Sequence, residues 1–144
     1  MECLSLNKDW LIKGNMPTGE PLEIRADVPC TVHSAMIENK IIDNLYLDKN
    51  ADNWMWIEEK NWCFENKFQY SKSNDTKCIE LEFEGLDTYC NVYLNSTLIG
   101  FCDSAHITYT FDVTSIIQDG TNNLKIEFLP HWEQIKDIDR NVCG

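Results

Sequence analysis

From Phe83 to Val113 the chain reads FEGLDTYCNVYLNSTLIGFCDSAHITYTFDV, and most of it keeps the two-residue rhythm of a β-strand. Cys90, Val92 and Leu94 interleave with Tyr89, Asn91, Tyr93 and Asn95. Ile107, Tyr109, Phe111 and Val113 interleave with His106, Thr108, Thr110 and Asp112, and Leu98 to Cys102 forms a short apolar run between the two series. Successive side chains of a strand point to opposite faces, so each outer run offers one face to a core and one to water. Gly85-Leu86-Asp87, Asn95-Ser96 and Asp103-Ser104 supply turns at the breaks. The pattern predicts a β-meander within an antiparallel β-sandwich or barrel.

The remaining segments extend this all-β reading. Leu4 to Gly14, centred on Trp10, reads as a first strand, and Leu22 to Ala26 as a second. Pro29 stops that strand, and Thr31 can cap a short helix whose apolar face is Val32, Ala35 and Met36. Glu65 to Tyr70 is a strand with Phe68 and Tyr70 on one face. In Cys78 to Glu84, Ile79, Leu81 and Phe83 point inward and Glu80, Glu82 and Glu84 outward into water. Thr114 to Ile117 predicts a helical turn, Asp119 to Asn122 a tight turn, and Asn123 to Leu129 a last strand with Leu124, Ile126 and Phe128 inward. Trp132, Ile135, Ile138 and Val142 could line a final helix or an irregular tail.

The 144 residues suffice for one domain, taken as 1–144, with a buried core. No apolar run is long enough to span a bilayer, and the first eight residues lack the basic-then-apolar pattern of a signal peptide. A net charge of −12 repels phosphate backbones and anionic lipid, which argues against nucleic-acid and membrane partners. Seven cysteines are an odd number, widely spread and without a CxxC pair, so reduced thiols are expected rather than a disulfide framework or a metal site. Reduced thiols make the cytoplasm the expected location. Without an exported chain, the sequons at Asn74 and Asn95 read as accidental. No cofactor motif occurs.

Gly85-Leu86-Asp87-Thr88, Val92-Tyr93-Leu94-Asn95, Gly100 and Tyr109-Thr110-Phe111-Asp112-Val113-Thr114 together resemble the N-terminal domain of glycoside hydrolase family two. Val28-Pro29-Cys30-Thr31-Val32-His33 is similar to the Val-Pro-Gly-Thr-Val-His signature of its β-mannosidase-like branch, with Cys30 in place of glycine. A glycine at positive φ would leave a cysteine strained there, so ordinary negative φ, or a local shift, is expected at Cys30. Ile41 to Tyr46 resembles the family's Ile-x-Asp-Pro-Tyr-Tyr-Gly run, with Asn44 for the proline and Leu47 for the glycine. Asp48 to Ala51 lacks the family's glutamate. The resemblance implies a galactose-binding-like jelly-roll β-sandwich with one or two short helices, here without its closing strands. It also implies downstream immunoglobulin-like and TIM-barrel domains. Relatives acting as β-galactosidase or exo-glucosaminidase share that architecture.

Retaining glycosidases set two carboxyl groups about 5 Å apart across the scissile bond. The resemblance places both on the downstream barrel, so no catalytic residue is expected in this chain. His33 reads as a helix histidine bonded to a nearby carbonyl rather than as a catalytic base. Trp54, Trp56 and Trp62 fall within nine residues. Indole faces stack on sugars and also dominate packing, so the cluster fits a carbohydrate platform, a domain interface or a core. A missing closing strand would leave a sheet edge open to a partner or to self-association.

Overall fold

The computed structural model describes residues 3–41, 56–57, 60–74, 77–86, 89–104 and 106–130. Eight strands and one helix occur among them: β1 (Trp10–Asn15), β2 (Pro21–Ala26), α1 (Val32–Glu38), β3 (Trp62–Tyr70), β4 (Glu80–Phe83), β5 (Cys90–Leu94), β6 (Thr97–Cys102), β7 (Tyr109–Asp112) and β8 (Gly120–Phe128). Six strands form one antiparallel sheet in the order β2-β1-β3-β8-β5-β6. β4 and β7 pair antiparallel as a second, two-stranded sheet. The described fold is therefore an antiparallel β-sandwich with one short helix.

Register explains the core. Ile24, Ile12, Phe64, Ile126, Val92 and Gly100 are successive cross-strand partners, one from each strand of the large sheet. Ile12 and Val92 are fully buried, and Ile24, Ile126 and Phe64 nearly so. Each such side chain contributes roughly 1.5–3 kcal/mol relative to exposure. The row ends at Gly100 because the Phe111 ring of β7 occupies that space: a Cβ on Gly100 would lie 2.3 Å from Phe111 Cε1. Phe111 also meets Phe83 of β4 edge-on, with centroids 6.1 Å apart, so the small sheet closes over this end of the row.

Turns and caps follow from local chemistry. β5 and β6 are joined by Asn95 and Ser96, both at positive φ (50° and 69°). Two left-handed residues give a turn whose twist matches that of the flanking strands. α1 opens with a capping box: Thr31 Oγ1 accepts from Ser34 N–H at 3.0 Å, and Ser34 Oγ accepts from Thr31 N–H at 2.9 Å. Ala35 and Met36 bury completely, and Val32 packs against the same core. Cys30 is absent from the residues at positive φ, in agreement with the expectation for cysteine there. The Val28–Pro29 peptide is cis.

Several boundaries differ from the sequence reading. The first strand starts at Trp10, not Leu4, because Asp9 sits at φ 62° and turns the chain just before it. Leu4 is exposed, while Leu6 O accepts the Trp10 Nε1–H bond. β3 reaches back to Trp62, so Trp62, Phe64 and Asn66 continue the inward face of Phe68 and Tyr70. β7 starts only at Tyr109, which leaves Ile107 exposed in the preceding bend. The tight turn expected over Asp119 to Asn122 is already strand from Gly120, with Asn122 fully buried.

Asn122 is buried because it replaces missing backbone partners. Its Oδ1 accepts from Gln118 N–H (2.8 Å) and Asn95 Nδ2 (2.9 Å), and its Nδ2 donates to Gln118 O (2.8 Å). Asn95 in turn donates to Ile116 O and accepts from Asn123 N–H. The two amides tie the β5–β6 turn to the segment before β8. Asn66 Nδ2 likewise donates to Lys8 O at 2.8 Å and holds the N-terminal segment against β3.

Candidate functional site

Of the three tryptophans, Trp62 is set most firmly. It opens β3 on the inward face, is 4% exposed, and donates its Nε1–H to Ile57 O at 2.7 Å. Its ring lies over Gly14 of β1, where a Cβ would come within 2.2 Å of Cε3. Trp56 is half buried and meets Trp62 at a tilt, with centroids 6.2 Å apart. The structure thus joins Trp56 and Trp62 in one aromatic corner, in which Trp56 is the more exposed residue. Trp54 lies outside the described residues, as do most of the 41–46 run, positions 48–51, Asp75-Thr76 of the first sequon, Cys143 and the 132–142 segment.

Beside this corner, the outer face of the large sheet carries a shallow hollow of about 410 Å³ lined by Lys13, Glu23, Glu65, Lys125 and Glu127. Two lysines and three glutamates face it, and one pair of them is in contact. Lys13 Nζ lies 2.9 Å from Glu65 Oε2, and the hydrogen bond and charge of Glu65 raise the Lys13 ammonium above its usual range. Lys125 Nζ stands 4.6 Å from the centroid of the Tyr93 ring.

Asp112 accepts from Thr114 N–H (3.0 Å) and Thr114 Oγ1 (2.5 Å), which hold its carboxyl below the usual range. A carboxyl held this low is ionised near neutral pH and carries no proton to give a leaving group. Glu80 and Glu82 stand in water on the outer face of β4. Among the described residues no group of three or more His, Cys, Asp or Glu side chains could hold a metal ion. His33 lies in α1.

Sequence reasoning overlooked one juxtaposition. Cys90 and Cys102 face each other across β5 and β6, and both are fully buried. A regular hairpin around Asn95-Ser96 would place Phe101 opposite Cys90. A bulge at Ile99 shifts the register by one and brings Cys102 there instead. Without the bulge the two thiols would lie on opposite faces of the hairpin, and no residue type in the run announces the bulge.

Residues 10–142 match the glycosyl hydrolase 2 galactose-binding domain-like family. The chain belongs to this family. As a glycosyl hydrolase 2 domain it is similar to a β-mannosidase of Rattus norvegicus, 31% identical over 131 residues that make up 88% of this chain and 15% of the relative. It is also similar to β-mannosidase B of Aspergillus fumigatus, at 30% identity over 130 residues, with 89% of this chain and 15% of that one covered. The crystal structure of β-D-mannosidase from Dictyoglomus thermophilum superimposes with a TM-score of 0.89 at 30% identity, over 98% of this chain and 17% of that chain. An exo-chitosanase from Amycolatopsis orientalis gives a TM-score of 0.75 at 14% identity, covering 90% of this chain and 17% of that chain, a likeness of fold alone. The chain thus spans about a sixth of the length of these relatives.

Proposed function

We propose that the chain is the N-terminal domain of a β-mannosidase-like exo-glycosidase that removes terminal β-mannosides. In this reading residues 1–144 are inactive alone and pack beside a downstream catalytic barrel, with an immunoglobulin-like domain between them. The observation that carries it is the close superposition on the Dictyoglomus thermophilum β-D-mannosidase over 98% of the chain at 30% identity. The mammalian and fungal β-mannosidases match over a similar span. The chemistry agrees for Asp112, Glu65, Glu80 and Glu82, which act as a turn acceptor, an ion-pair partner and two solvated strand residues. Trp56 and the neighbouring hollow offer a surface for a second domain, and the two-stranded sheet, which pairs with no further strand among the described residues, fits a fragment that self-associates. A cytoplasmic location is proposed on the grounds of six free cysteines among the described residues.

The test incubates the folded 144-residue chain with a chromogenic β-mannoside, its fold checked by near-ultraviolet circular dichroism. Release of chromophore at the buffer rate is expected. Turnover clearly above buffer by the chain alone would refute the claim that catalysis lies elsewhere. The half-buried Trp56 supports a second reading, a free-standing carbohydrate-binding module. Quenching of its fluorescence on titration with mannose or short mannans would favour it.

A further inference from the structure

Of the six described cysteines, two are brought face to face. Cys90 on β5 and Cys102 on β6 are cross-strand partners, both 0% exposed. Facing residues of an antiparallel pair have Cα atoms about 4.5 or 5.5 Å apart, and both spacings lie within the range a disulfide spans. The two thiols are close enough for each to shift the other's titration. The other described cysteines lie elsewhere: Cys3 and Cys78 are exposed, Cys63 is on the outer face of β3, and Cys30 precedes α1. Among the described residues β6 is an edge strand, paired with β5 and with no other strand. Its outer face carries Leu98 and Phe101, both exposed.

We propose that Cys90 and Cys102 form an oxidation site, closing to a cross-strand disulfide that staples the edge strand β6 to β5. The oxidant is a low-molecular-weight disulfide of the oxidised glutathione class. Opening of β6 from β5 admits it, because the closed pair is sealed from solvent. Cys102 attacks first. Cys102 sits on the strand that opens and reaches solvent with it, whereas Cys90 stays on β5, which remains paired to β8. The Cys102 thiolate displaces one glutathione thiolate and forms a mixed disulfide. Cys90 then gives its proton to solvent and attacks Cys102 Sγ, and the second glutathione thiolate leaves. Two protein thiols lose two electrons, and one oxidised glutathione becomes two glutathione molecules.

The experiment incubates the full chain with oxidised glutathione in mild urea at alkaline pH. The product is denatured, capped with N-ethylmaleimide and digested with chymotrypsin. Trypsin is unsuitable, because 78–125 contains no internal Lys or Arg. Chymotrypsin cuts after Tyr93 and Phe101, between the two cysteines. The expected result is a linked Cys90–Cys102 peptide pair that disappears on reduction, with Tm several degrees above that of the reduced chain. Cys102→Ala should lose the link, and Cys63→Ser should keep it. Recovery of Cys90 and Cys102 each carrying N-ethylmaleimide, or of Cys90 joined to a different cysteine, would overturn the proposal. The peptide map of the unmodified chain decides this even where a variant fails to fold. A Tm unchanged or lowered by the bond would overturn its role as a staple.

Discussion

Gly100 shows how much one missing side chain can matter. Its space is filled by Phe111 from the opposite sheet, with a would-be Cβ 2.3 Å from the ring. Gly100→Ala forces the ring aside and should cost about 1–3 kcal/mol, read as a lower urea midpoint. An unchanged midpoint would mean that the ring yields freely. At this scale the alternating apolar residues were legible: Cys90, Val92 and Leu94 share a parity in sequence and are all fully buried. Gly100 was not legible, because its partner arrives from another sheet. Nor was Asn122, because a polar residue on an inward position reads as a break. Only the carbonyls and amides left by the neighbouring turns make it a core residue. The same holds for Trp62. Its residue type suggested a platform, a domain interface or a core, and only the space over Gly14 shows where the ring goes.

Among the elements, α1 is the one whose start was written most plainly. Thr31 was readable as a cap from its type and from the apolar spacing after it, and it makes both bonds of the box with Ser34. Thr31→Ala should lower stability by about 0.5–2 kcal/mol, and Thr31→Ser should restore most of it, measured by the urea midpoint. Equal stability of all three would show that the helix is held by Ala35 and Met36 alone. Strand interiors were as legible as the helix, and strand ends were not. The alternation that marks β1 and β7 runs on in sequence past the point where Asp9 turns the backbone or where Ile107 leaves the sheet. Hydrogen-bond partners on neighbouring strands, rather than alternation, decide where a strand stops.

For the whole molecule, buried thiols set an alkaline limit. Burial raises Cys30, Cys63, Cys90 and Cys102 above the ordinary 9.0, Cys90 to about 12. A folded-state pKa above the unfolded one means that the fold favours the neutral thiol. That stability is fully present below pH 9.0 and is lost as pH rises toward the folded values. The urea midpoint of the reduced chain should therefore fall between about pH 8 and about pH 11, and should fall less once Cys90 and Cys102 are joined. A flat profile over that range would contradict it. The all-β class was legible because alternation recurs along much of the chain, and the family was legible because its motifs are spread just as widely. The order of strands was not, since nothing local tells residues 62–70 that their partners are residues 120–128.

That pairing orders events during synthesis. β3 and β8 are the middle two strands of the large sheet, and β8 is the last of the described strands to be made. Until Phe128 has left the ribosome, β2-β1-β3 and β5-β6 are two separate flaps with no strand to join them. The nascent chain must shelter both greasy surfaces for some fifty residues of translation after β3 emerges, and it gains its interior in one late step.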